Sequence, residues 1–182
     1  GHFGKWHMGS ISPELHGYDD HDGITTNTPG MRGAPDPKRT DEITDRALGF
    51  LEENSDRPFY MQVSYYAVHT PVLAMPEQIE RYRTYDSRIH LNSTYGAMTE
   101  DLDTSVGAIL DKLDELGVSD NTYVIYTSDN GGELNGSVTT NVPLARGKTH
   151  VWEGGIRVPL VFRGPGIPAN THSHVPAVGY DF

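Results

Sequence analysis

The sequence predicts an α/β protein with a mostly parallel central sheet flanked by helices. Three observations carry that expectation. Residues 123–127 (YVIYT) form a β-branched and aromatic run of the kind that suits a strand buried on both faces, followed at once by Ser128, Asp129, Asn130, Gly131 and Gly132. Residues 59–66 and 158–162 are two further runs of this type. Between the first two lies the longest helical pattern, residues 93–116, and strand, helix, strand in that order implies a right-handed crossover joining a parallel pair.

Composition sets the bounds. A chain of 182 residues, 36% hydrophobic and 21% charged, is one domain's worth and long enough to bury a core. Its 14 Lys+Arg against 25 Asp+Glu give a formal charge of -11, which repels a phosphate backbone, so nucleic acid is not an expected partner. No apolar run reaches the ~20 residues of a membrane span, and the opening residues do not read as a signal peptide. With no Cys, disulfides and thiolate metal sites are excluded.

Taken in order, the chain opens with HFGKWHMG. If residues 3–7 are extended, Lys5 and His7 fall on one side and aim a cation and an imidazole at one spot. Residues 10–39 are rich in Pro, Gly, Asp, Thr and Asn and read as a long irregular segment. His16, Asp19, Asp20, His21 and Asp22 within it have the composition of a metal cluster, but no apolar framework flanks them, and Asx turns and solvated loops use the same residues. Thr40 is placed to cap a helix over 40–54, with Asp41 and Glu42 in its first turn and Ile43, Ala47, Phe50 and Leu51 on one face.

The strand at 59–66 runs into Ala67, Val68, His69, Thr70 and Pro71, which places His69 just past a strand's carboxyl end. A short amphipathic piece follows at 77–82. In the helix at 93–116, Tyr95, Met98, Leu102, Val106, Ile109, Leu113 and Leu116 recur every three or four residues and Gly117 offers a stop. Burial of those side chains, at ~1.5 to 3 kcal/mol each, outweighs the ~1 kcal/mol cost of Gly107. Asp129 and Asn130 then stand at the carboxyl end of the 123–127 strand, where open α/β sheets gather ligands, and a carboxylate beside an amide suits a hard cation. Taken alone, S-D-N-G-G is equally a simple turn. The irregular stretch 134–143, the segment LARGKTHVWEGGIRVP at 144–159 and the strand at 158–162, closed by Gly164, Pro165 and Gly166, complete the pattern.

Four of these stretches agree. GKWHMG at 4–9, YYAVHTP at 65–71, YTSDNGG at 126–132 and RGKTHVWEGGIRVP at 146–159 resemble, in order and approximate spacing, the signature blocks of the formylglycine-dependent sulfatases of the alkaline phosphatase superfamily. The resemblance extends over essentially the whole chain. It implies a sulfuric ester hydrolase in which Asp129 and Asn130 supply the second half of a Ca²⁺ site. It further implies that Lys5 and His7 contact the sulfate and the catalytic aldehyde hydrate, while His69 and Lys148 hold the sulfate and assist the leaving alcohol. A sulfate ester needs cations at its nonbridging oxygens, a positioned nucleophile and an acid for the departing oxygen, and these residue types meet the first and last needs.

The departures matter as much. The family's calcium-binding Asp pair and its C/S-x-P-S-R motif, whose Cys or Ser becomes the formylglycine, precede the GKWH block, and neither occurs here. The chain starts inside a motif at Gly1, His2, Phe3 and stops at Tyr180, Asp181, Phe182. The expectation is therefore a partial sulfatase catalytic domain over 1–182, its formylglycine lying upstream of residue 1 and a C-terminal subdomain beyond its end, inactive by itself. The partner expected is a sulfated small molecule or glycan, approached through loops 15–33 and 134–143 with His90, His150 or Trp152 as sugar contacts. The resemblance also implies export, to a periplasm or the exterior. Two other readings stay open: a sulfatase-like glycan or anion-binding module without a nucleophile, and a phosphodiesterase or phosphonate hydrolase of the same superfamily with two transition-type metals.

Overall fold

The structure, a computed structural model, describes residues 1–27, 31–85 and 92–179, so His90 and residues 28–30 of the 15–33 loop lie outside the described residues. Strands and helices follow in the order β1 (His2–Gly4), α1 (Thr40–Asn54), β2 (Gln62–Ser64), α2 (Pro76–Arg83), α3 (Ser93–Glu115), β3 (Val124–Thr127), α4 (Glu153–Ile156) and β4 (Leu160–Arg163). The α/β class holds. None of the described helices is long and apolar enough to cross a membrane.

β1 and β2 form a parallel pair, with His2 opposite Gln62, Phe3 opposite Val63 and Gly4 opposite Ser64. The close approach fixes the last residue of β1: Gly4 sits at φ 94, and a β-carbon there would overlap the Ser64 carbonyl oxygen. α1 covers this pair. Ile43, Ala47 and Phe50 recur at helical spacing and bury against Phe3 and Tyr66, while Phe59, Met61, Val63, Tyr65 and Ile109 pack at the margin. Phe3 and Ile43 are essentially inaccessible, each stabilising the fold by about 1.5–3 kcal/mol. The Arg46 guanidinium, 5.1 Å from the Phe3 ring centroid, closes the outer edge.

α1 has the expected bounds but a different cap. Asp36 accepts the Thr40 N–H on one carboxylate oxygen at 2.7 Å and the Glu42 N–H on the other at 3.0 Å, while the buried Thr40 hydroxyl has no partner among the described residues. One carboxylate thus satisfies two of the helix's free donors, which a single hydroxyl does not do. α3 is capped by Asn92, whose side chain accepts from Tyr95 N–H, and it packs against both α1 and α2. Its Met98 and Leu113 are buried, whereas Tyr95, Leu102, Val106, Ile109 and Leu116 are only half-buried.

The expected central sheet differs. β2 pairs with β1 and not with the strand after α3; β3 pairs antiparallel with β4, placing Ile125 opposite Phe162 and Thr127 opposite Leu160. The described residues therefore hold one parallel and one antiparallel pair, and strand and crossover helix do not return to the same sheet. Nor is the second pair interior. Tyr123, Ile125 and Tyr126 are 64, 43 and 42% exposed, and Val161 is 57% exposed. An apolar run says that a segment suits burial; whether it is buried depends on what packs on its faces, and the described residues leave these faces open.

Candidate anion site

The GKWH segment leaves β1 as a tightly held bend. Gly4 N–H donates to Asp22 Oδ2 at 2.7 Å, Lys5 N–H to the Ser64 carbonyl at 2.7 Å, Trp6 N–H to Thr25 Oγ1 at 2.6 Å and His7 N–H to the Thr25 carbonyl at 2.8 Å. Thr25 Oγ1 in turn donates to the Gly4 carbonyl, and Trp6 Nε1 donates to the Ile11 carbonyl. Lys5 is thereby fixed through its backbone from both sides. The expected extended strand does not continue through 5–7, because Gly4 and His7 both have positive φ, 94 and 49. Lys5 is half-buried while His7 is exposed, and no side-chain contact joins His7 to the other candidates among the described residues.

The acids of residues 19–22 find their use here. Asp22 anchors Gly4, and Arg46 bonds Asp20 at 2.6 Å and Asp22 at 3.3 Å, so the loop is pinned to α1. Among the described residues no group of three or more His, Cys, Asp or Glu is arranged to hold a metal. Sequence reasoning missed Asp22 and Thr25 as supports of Lys5, since only the folded chain brings them to it.

His69 follows β2 in a loop closed by its own N–H on the Tyr66 carbonyl. Its Nδ1 lies 2.6 Å from the Thr70 carbonyl, which can only accept, so Nδ1 carries the hydrogen and Nε2 is the nitrogen left for chemistry. Partial burial pushes the imidazole pKa below its ordinary value; the Thr70 hydrogen bond opposes this, and Lys148, Lys5 and Lys38 reinforce it. The three lysines thus lie near enough to His69 for their charges to act on its imidazole. Lys38 is a fourth member that the sequence did not single out, because a Lys in P-D-P-K-R-T reads as surface. It is 2% exposed, and its ammonium donates to the His69 carbonyl at 2.8 Å and the Pro71 carbonyl at 3.3 Å. Burial, with Lys5 adding to it, pushes Lys38 down to about 8.

The chain has four lysines: Lys5, Lys38, Lys112 and Lys148. Lys112 pairs with Glu52 and Glu115 at 2.9 and 2.8 Å. The charges of the other three all act on His69, and none has a carboxylate partner among the described residues, although the chain carries 25 acids.

Lys148 comes from a segment packed backbone to backbone on the turn after β3. Lys148 N–H donates to the Gly132 carbonyl at 3.0 Å and Gly131 N–H to the Gly155 carbonyl at 2.9 Å. A β-carbon on Gly131 would overlap the Gly154 carbonyl oxygen, so glycine alone permits this approach. The same turn presents Asp129 and Asn130. Asn130 commits its amide nitrogen to the Gly131 carbonyl at 2.9 Å, leaving Oδ1, and the exposed Asp129 carboxylate has no partner among the described residues. Both oxygens are hard donors free for a cation. His150 and Trp152 lie exposed on the neighbouring loop. A cavity of about 290 Å³ lies elsewhere, on α1, lined by Glu42, Asp45, Arg46, Gly49, Phe50 and Glu53; it includes none of the candidate residues.

Fold and site together define an α/β chain in which three lysines without a carboxylate partner among the described residues act on one imidazole, one of them joined to a turn of hard oxygen donors. Comparison with known proteins gives this class its family. The sulfatase family model matches residues 2–180, and the chain belongs to the sulfatase family. It is 34% identical over 154 residues to a sulfatase of Formosa agariphila, an alignment covering 78% of this chain and 27% of that protein. Against the N-acetylgalactosamine-6-sulfatase of Mus musculus it is 31% identical over 208 residues, covering 94% and 38%. Among solved structures, that of Ps i-CgsB in complex with k-i-k-neocarrahexaose superposes with a TM-score of 0.62 at 33% identity, covering 70% of this chain and 28% of that one. The chain thus spans between about a quarter and two fifths of the length of these relatives.

Proposed function

We propose that the intact protein is a sulfuric ester hydrolase and that residues 1–182 are the part of its catalytic domain that holds the anion. The observation that carries this reading is that the charges of Lys5, Lys38 and Lys148 all act on His69 while no carboxylate among the described residues pairs with any of them. In an acidic chain, such a group is complete only when an anion arrives. Lys5 and Lys148 bind the nonbridging oxygens of the sulfate as fixed positive charges. His69, its Nδ1–H held by Thr70, hands a proton from Nε2 to the leaving alcohol. His7 belongs beside Lys5 as a further contact to the reacting group.

Calcium is the metal the family implies, and Asp129 and Asn130 fit it as two of the six to eight oxygens it requires. Bound there, the dication supplies charge neutralisation at the reacting centre. The family's formylglycine is a different case. These residues include no Cys and no Ser in a C/S-x-P-S-R setting, so they do not fit that group, and none of them takes the nucleophile's part. The 182 residues alone are expected not to turn over sulfate esters.

A sulfated carbohydrate is the substrate class we favour, in keeping with a relative named N-acetylgalactosamine-6-sulfatase and a solved neighbour holding k-i-k-neocarrahexaose. We assign loops 134–143 and 15–33, with His150 and Trp152, the role of sugar contacts, and export to a periplasm or the exterior suits such a substrate. The deciding experiment is hydrolysis of a chromogenic aryl sulfate with added calcium by the intact protein, coexpressed with the formylglycine-generating enzyme. Turnover by the intact protein and none by the 182-residue chain is expected. Sulfate binding without turnover by the intact protein points instead to a binding module, and activity that requires zinc or manganese points to a phosphodiesterase.

A further inference from the structure

Lys38 is the one cation of the group that cannot reach an anion directly. Its side chain is buried, and its ammonium is spent on two carbonyls of the loop that carries His69. Among the described residues no carboxylate pairs with it: at the start of α1, Asp36 accepts helix N–H groups and Glu42 pairs with Arg39, while Lys5 faces it with like charge. An ammonium buried without a counter-charge is costly, and an apolar side chain of similar length would fill the same space without that cost. What the apolar side chain would not do is clamp the carbonyls of His69 and Pro71 or leave positive charge beneath the site.

We propose that Lys38 is a positioning residue of the anion site, fixing the His69 loop from behind and contributing charge that the bound anion neutralises. The proposal rests on the sulfatase reading for the identity of the anion, though not for the anion site itself. A consequence concerns pH. Lys38 is charged below about 8 and neutral above it, so the site loses a cation across that range. Of the other groups facing the loop, Lys5 and Lys148 contribute like charge, His69 is already neutral there, and Arg39 stays charged.

The test uses the intact, matured protein, with inorganic sulfate binding followed by calorimetry and turnover of an aryl sulfate followed separately. Lys38→Met is expected to weaken sulfate binding and lower kcat/KM by ~10- to 100-fold, the scale seen for groups that orient a ligand from behind. Lys38→Arg, permanently charged, is expected to restore most of both. In the wild type, sulfate affinity is expected to fall as pH rises through about 8, and in Lys38→Arg that fall is expected to vanish. Unchanged sulfate affinity in Lys38→Met, or a wild-type affinity flat between pH 7 and pH 9.5 (roughly the window set by the shifted lysine), overturns the proposal; the second measurement needs no variant to fold. A wild type that binds sulfate in a Lys38-dependent way but hydrolyses nothing sinks the hydrolase reading and keeps Lys38. An active wild type indifferent to Lys38 does the reverse.

Discussion

The backbone N–H of Lys148 donates to the Gly132 carbonyl at 3.0 Å, tying a cation of the proposed anion site to the turn that presents Asp129 and Asn130. The proposed metal donors and the proposed anion-binding lysine therefore share one backbone unit. Its contact surface is glycine on both sides, and Gly131→Ala would drive a β-carbon into the Gly154 carbonyl oxygen. In the intact protein this substitution is expected to cost about 1–3 kcal/mol of stability and to weaken calcium and sulfate binding together. Gly107→Ala, in open space on α3, is the control and should stabilise by about 0.5–1 kcal/mol. Denaturant melts and calorimetry decide; a Gly131→Ala protein that keeps both affinities would show that the two segments are not coupled.

Removing the charge of Lys148 isolates its part. Lys148→Ala is expected to lower kcat/KM by ~10²-fold or more, as losses of preorganised charge stabilisers do. Competitive inhibition by inorganic sulfate should weaken alongside, and in the wild type it should weaken with added salt because the cations are partly exposed. A variant with unchanged sulfate inhibition would remove Lys148 from the anion site.

His69 makes a prediction about pH whose sign follows from its surroundings. Burial lowers its pKa, and Lys148, Lys5 and Lys38 lower it further. The unfolded chain therefore takes up the proton first as pH falls, and this residue's contribution to stability is present above ~6.5 and lost as pH drops below it. As a general acid His69 must hold that proton, so kcat/KM on unactivated alkyl sulfates should decline as pH rises through a value below the ordinary histidine range. Lys148→Met should move that limb upward by removing a cation. His69→Ala should hurt alkyl sulfates far more than activated aryl sulfates; equal losses on both would take His69 out of the acid role.

What the sequence made legible was local chemistry. Lys5, His69 and Lys148 stand in short motifs with distinctive residue types, and in the structure the charges of both lysines act on the His69 imidazole; Asp129 and Asn130 lie in a bend after β3, as their glycines and the preceding apolar run imply. α1 and α3 were readable from helical periodicity. What was not readable was long-range. Lys38 and Asp22 act on residues 31 and 18 positions away, through a carbonyl and an N–H that every residue owns, so no residue pattern marks them. Strand pairing was misjudged for a related reason: YVIYT records a preference for burial but not the partner that provides it, and among the described residues its partner is antiparallel β4.

That strand pair gives the last prediction. Ile125 and Tyr126 project to opposite faces of β3, and both are more than 40% exposed, as is Val161 on β4. A two-stranded ribbon with apolar side chains open on both faces is marginal by itself and offers unpaired edges to other chains. The 182-residue chain, expressed alone, is therefore expected to self-associate at micromolar concentration and to bind a hydrophobic dye, read by light scattering coupled to gel filtration. Ile125→Lys together with Val161→Lys should reduce both signals in the isolated chain, because charge on a strand's open face discourages edge pairing. In the intact protein the same pair should lower the melting temperature, since there the faces are expected to be covered and a buried unpaired ammonium is destabilising. A monodisperse wild-type chain with one cooperative thermal transition would show that the open strand pair is tolerated as it stands and that nothing needs to cover it.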